Sequence, residues 1–151
     1  MSPEYVFSLA NLVALLAWVV LAAWPVRLQV PQVVSGMVVP GLLAVLYVGI
    51  IVTTWSSSSG GFSSLGDVSS LFGNPWLLLA GWVHYLAFDL LVGSWEVRDA
   101  RDRGIPQWFV LPCLALTFLF GPAGWLLYVV LRSSYRSSKT GFEHQRTPAQ
   151  A

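Results

Sequence analysis

Four apolar stretches, each close to twenty residues, decide what this chain can fold into. They run from about Val6 to Trp24, Val33 to Trp55, Trp76 to Trp95 and Trp108 to Leu131. A helix needs roughly 20 residues to cross about 30 Å of hydrocarbon, and it satisfies its own backbone polar groups there. Strands would be shorter and would alternate apolar with polar residues, which these stretches do not. Composition points the same way: 56% of the 151 residues are hydrophobic and 10% are charged, against about 25% charged in soluble domains. The reading is an all-α integral membrane protein, a bundle of about four transmembrane helices within residues 1–132. A polar tail over 133–151 is expected to be disordered.

The tryptophans mark boundaries. Trp24, Trp55, Trp76, Trp95 and Trp108 fall at segment ends, where an amphipathic ring prefers the headgroup zone. Trp18, Trp82 and Trp125 lie inside segments and need packing or a ligand to explain them. The first stretch has no preceding basic region and no small-residue cleavage site, so it reads as a retained helix and not a cleaved signal.

The formal net charge is +1 with no long basic run, which gives no reason to expect nucleic acid as a partner. Cys113 is the sole cysteine. An intrachain disulfide and a cysteine metal cluster are excluded, and the thiol is expected to be buried and inert. The link Ser56–Asn74 is rich in Ser and Gly but carries Phe62, Leu65, Val68, Leu71 and Phe72, which are expected against the membrane surface or capping the bundle. With four spans both termini share one side. The basic residues then divide four against four, Arg132, Arg136, Lys139 and Arg146 opposing Arg27, Arg98, Arg101 and Arg103. That count selects no orientation.

The fourth stretch contains Pro112 and Gly121-Pro122-Ala123-Gly124. Pro122 removes a backbone donor and crowds the preceding turn, so a kink or break is expected there. The small residues read either as a packing notch for another helix or as part of a kink that opens a ligand cavity beside the third stretch.

The third stretch holds the polar groups of interest: Trp82, His84, Tyr85, Asp89 and Glu96, then Asp99. Ionisable residues inside a span are costly and tend to face the bundle interior or a cavity. Trp82, Asp89 and Glu96 drift only about 20° per seven-residue step and form one stripe, with Tyr85 at its edge. His84 is about 140° from Asp89, and Asp89 and Glu96 are about 10.5 Å apart along the axis. A straight helix therefore cannot close these groups on one metal ion, though the two carboxyls can flank a substrate. Each group also has a structural reading: His84 bonded to a facing hydroxyl or carbonyl, Asp89 paired with an arginine or another helix, Glu96 and Asp99 paired with Arg98, Arg101 or Arg103. Asp89 is the sharpest candidate, because desolvation disfavours the charged carboxylate and a protonated buried carboxyl can act as a general acid. No zinc-protease, phosphate-loop, dinucleotide or haem-attachment motif is present, and neither cofactor nor metal is expected.

The string Trp82-Val-His84-Tyr-Leu-Ala-Phe-Asp89-Leu-Leu-Val-Gly93-Ser-Trp95-Glu96, with Asp99, resembles the core of the abscisic-acid-deficient-4-type membrane proteins. Pro112-Cys-Leu-Ala-Leu-Thr117-Phe-Leu-Phe-Gly121-Pro122-Ala-Gly124-Trp-Leu-Leu-Tyr128 resembles it too. Residues 74–131 carry this resemblance well; the first two helices share only the pattern. Plant members are linked to neoxanthin synthesis, in which an epoxide opens and a carbon-bound proton leaves to give an allene without net redox change. That chemistry needs an acid and a base. The resemblance implies Asp89 as acid, Glu96 or His84 as base, and Trp82, Tyr85, Thr117 and Phe118 as substrate contacts. Aromatic faces there would favour a cation-like polyene. A basic, serine-rich transit segment is absent, which points to a bacterial inner membrane, or to a plastid membrane if the chain is processed. The expected activity is a carotenoid- or retinoid-related isomerase. The competing expectation is a non-catalytic carotenoid-binding or assembly subunit of a larger membrane complex. The expected partners are the lipid bilayer and a carotenoid or retinoid, with a homo-oligomer or a larger complex as further options.

Overall fold

The computed structural model describes residues 2–23 and 32–135. Expectations attached to Trp24, to the Arg27 link and to tail residues 136–151 lie outside the described residues. Regular structure among the described residues is helical throughout. We label the helices α1 (Pro3–Ala23), α2 (Val34–Ser57), α3 (Leu65–Phe72), α4 (Pro75–Arg103), α5 (Gln107–Phe120) and α6 (Pro122–Ser134). Among the described residues α1, α2 and α4 are long and apolar enough to cross a membrane. Their outward faces are apolar, with Leu16, Val45 and Val52 all strongly exposed, which suits lipid and not water.

Helix α4 is the central element. The Asn74 side chain accepts from the Trp76 N–H at 2.9 Å, and Pro75 occupies the first turn, where its missing donor costs nothing. The helix runs about two turns beyond Trp95, where the apolar stretch suggested an interface. It stops at Gly104, whose φ of 69° closes the last turn in the left-handed region. Trp95 is therefore internal, its ring edge-on to Tyr128 at 5.5 Å.

The directions follow from specific contacts. The Trp82 indole donates to Asn11 at 2.8 Å, Trp18 packs over Gly93, and Gln107 donates to the Ala22 carbonyl at 2.9 Å. Helices α1 and α4 thus run side by side in the same direction. Helix α2 runs the other way, with Gly36 against Ser94 near one end and Tyr47 against His84 farther along. Its first turn, Val34–Val38, is π-wound, and the Val39 N–H reaches back to the Val34 carbonyl. Pro40 follows directly; it cannot bond the Gly36 carbonyl and its ring crowds it, so a widened turn ahead of it relieves the clash. In the link, Ser64 caps α3 by accepting from the Asp67 N–H at 3.0 Å. Leu71 is buried and Phe72 packs on Gly81, so these two cap the bundle as expected, whereas Leu65 points outward.

The fourth stretch departs most from expectation. It is not one span but two short helices, α5 with 14 residues and α6 with 13, or about 21 and 20 Å. Neither can cross about 30 Å of hydrocarbon alone. They fold back on each other: the Phe109 and Tyr135 ring centroids are 6.5 Å apart, where one continuous helix would separate those residues by about 39 Å. The break expected at Pro122 is a full reversal. Gly121 makes it with φ 41° and ψ −91°, a backbone that residues with a Cβ rarely adopt. Gly124 permits it, since a Cβ there would run into the Thr117 backbone.

Candidate functional site

Asp89 is the midpoint of α4, fourteen residues from Pro75 and fourteen from Arg103 (89−75 and 103−89). Its side chain faces the tip of the α5–α6 hairpin and is 8% exposed. A Cβ on Gly121 would fall 2.9 Å from Asp89 Oδ1. Gly121 is thus required for the reversal, and without a Cβ it also lets the carboxyl sit close. Asp89 Oδ2 has no hydrogen-bond partner among the described residues. The Tyr85 hydroxyl, one turn earlier on α4, lies beside the carboxyl and donates to the Phe118 carbonyl at 3.2 Å.

Two turns further along the same stripe, Glu96 is fully buried. Its Oε1 accepts from the Thr117 hydroxyl at 2.9 Å, and its Oε2 has no partner among the described residues. Among the described residues, neither Asp89 nor Glu96 pairs with an arginine. Burying such groups without a full set of partners costs several kcal/mol by general experience, on the order of 1–3 per unsatisfied group. Residues carrying that cost inside a membrane protein are functional candidates.

Beside them lies a cavity of about 360 Å³ lined by Asn11, Leu15, Trp82, Tyr85, Phe118 and Leu119. Asp89 does not line this cavity itself but lies beside Tyr85, which does. Trp82 also borders a second cavity of about 470 Å³ that continues along Phe7, Leu78 and Phe72.

A family model described as ABA DEFICIENT 4-like matches residues 5–128. The chain belongs to this family. The match takes in α1 through the first half of α6, and with them every candidate residue. The ABA DEFICIENT 4-like family is linked to carotenoid- and neoxanthin-related function. No curated protein and no solved structure matches the chain.

In this ABA DEFICIENT 4-like chain, Trp82, Tyr85, Asp89 and Glu96 follow one face of α4, along which Tyr85 meets Phe118 and Glu96 meets Thr117 of the hairpin. Thr117 itself does not line the cavity. His84 is elsewhere. Its ring sits between Tyr47 at 5.5 Å and Phe88 at 4.5 Å, on a separate cavity lined also by Trp55 and Phe62. The 140° offset along α4 explains the separation. No group of three or more His, Cys, Asp or Glu residues among the described residues is placed to hold a metal ion. Two participants were not singled out from sequence. Asn11, a lone amide in an apolar stretch, was a readable signal; the packing of Gly121 on Asp89 had none.

Asp99 serves a structural end. It accepts from Arg103 at 2.7 Å, Arg132 at 3.1 Å and Tyr128 at 2.7 Å, and Arg132 lies over the Trp95 ring at 5.3 Å. This cluster ties the returning arm α6 to α4. Asp99→Ala is expected to lower stability by about 1–3 kcal/mol, read as a lower thermal midpoint in detergent, with Ala123→Ser at an exposed position as the unaffected control.

Proposed function

We propose that this protein is a multi-pass membrane isomerase of a carotenoid- or retinoid-type polyene, with Asp89 as the group that gives and reclaims the proton. One observation carries the reading: a buried carboxyl with an oxygen unpartnered among the described residues lies beside Tyr85, a residue that lines a cavity with Trp82 and Phe118. Membership of a carotenoid-linked family supports the substrate class.

The chemistry needs no oxidant. The Tyr85 hydroxyl passes its proton to a polyene carbon and takes one from Asp89. The double bonds shift as positive charge spreads along the chain. The Asp89 carboxylate then recovers a proton, through Tyr85, from another carbon. Atoms and electrons balance, and the product is an isomer of the substrate. Trp82, Tyr85 and Phe118 offer aromatic faces to the transient cation. The apolar surroundings exclude water that would otherwise trap it. Glu96, held by Thr117, is a second buried carboxyl two turns along the same face of α4.

The test is to purify the full chain in mild detergent, supply carotenoids and retinoids, and analyse the organic extract. The expected result is a new isomer of unchanged mass, formed catalytically. A stably bound polyene recovered unchanged would replace this reading with the pigment-binding subunit.

A further inference from the structure

We infer that the chain crosses the bilayer three times, re-enters once, and keeps its arginine-bearing end in the cytoplasm with the N-terminus opposite. The hairpin decides the number of crossings. Helix α5 starts near the Arg103 end of α4, where Gln107 bonds Ala22. It descends to the level of Asp89 and turns at Gly121. Helix α6 then climbs back until Arg132 reaches Asp99 and Tyr135 reaches Phe109. Both ends of the hairpin are therefore on one side. Irregular backbone at mid-membrane is tolerated only where protein buries it and its polar groups are bonded. Gly121 is buried, its N–H donates to the Thr117 carbonyl at 2.8 Å, and its carbonyl accepts from Trp125 at 3.2 Å.

The reversal changes the charge count. Arg98, Arg101, Arg103 and Arg132 all lie at this end of the bundle. Arg27 belongs to the segment joining Ala23 to Gln32, which are the α1 and α2 ends on the same side. Arg136, Lys139 and Arg146 follow Tyr135 in the sequence, with no further apolar span between. Every Lys or Arg among the described residues, Arg98, Arg101, Arg103 and Arg132, thus lies at one end. The other end, formed by the start of α1, the Ser58–Asn74 link and the start of α4, carries none and holds Glu4 and Asp67. Among the described residues the bias is four to none, and it sets orientation because basic residues near span ends are retained in the cytoplasm. A fourth full span would have left the whole-sequence count tied.

The same geometry bears on access. The hairpin fills only the arginine-side half of the bundle. The cavities bordered by Trp82 lie at its tip and beyond, toward the arginine-free end. If the proposed isomerase reading holds, the polyene comes from the leaflet facing away from the cytoplasm; the topology itself does not depend on that reading.

The test uses the full chain in a bacterial inner membrane, with an epitope at each terminus. In intact spheroplasts the N-terminal epitope should be open to protease and the C-terminal one protected until lysis. Both epitopes on one side would overturn the three-span arrangement, and the C-terminal epitope alone outside would overturn the orientation. Single cysteines give an independent reading in a Cys113→Ala background. Ser59→Cys should label with an impermeant maleimide in intact cells, and Asp102→Cys only after lysis. The reverse pattern contradicts the inference. Neither measurement requires activity, so failure here is distinct from failure of the isomerase reading.

Discussion

Asp89→Asn is expected to lower polyene turnover by about 10²–10⁴-fold, the usual contribution of a positioned acid or base, while pigment binding is retained. The amide matches the carboxyl in shape and keeps the packing against Gly121, but it cannot give up and recover a proton. Tyr85→Phe should also depress turnover, because it removes the hydroxyl that lies beside Asp89 on a residue lining the cavity. His84→Gln should leave turnover near wild type, since that ring lies on another face between Tyr47 and Phe88. The measurement is turnover per bound pigment, with binding read from the absorption spectrum. Full activity in Asp89→Asn would remove Asp89 from the mechanism.

The largest structural effect is expected from Gly124→Ala. A single added methyl would overlap the backbone nitrogen and hydroxyl of Thr117, and backbone on a closed hairpin has little room to give. Overpacking typically costs about 1–3 kcal/mol; here the obstacle is main chain, so a loss at or above the top of that range is expected. Opening the hairpin would also pull Thr117 from Glu96 and Gly121 from Asp89. Thermal unfolding in detergent should show a large drop for Gly124→Ala and almost none for Ala123→Val, which adds bulk at an exposed neighbour. Equal midpoints would contradict the close contact between α5 and α6.

The helical membrane architecture was legible because long apolar runs leave lipid few alternatives. The stripe Trp82, Asp89 and Glu96 was legible because helical periodicity alone places those residues together, and the same periodicity set His84 apart. The fourth stretch was harder. Its length and hydropathy match a span, and Pro122 announces a break, but a kink and a reversal have the same local signature. What separates them is tertiary: Gly124 seated on Thr117 and Arg132 bonded to Asp99. Pairing was illegible for the same reason. Asp99 had three arginines near it in sequence, yet it takes one of those, Arg103, and another from α6. Glu96 takes a threonine hydroxyl in place of any arginine.

The central claim is that a proton from this buried site reaches a carbon of the polyene. It is tested most directly by a single turnover with protein in excess, equilibrated in heavy water, acting on a hydrocarbon polyene that lacks an epoxide. The isomer formed should carry a deuteron on carbon, and Asp89→Asn should form neither the isomer nor the labelled carbon. An isomer formed at the wild-type rate with no deuterium on carbon would contradict it.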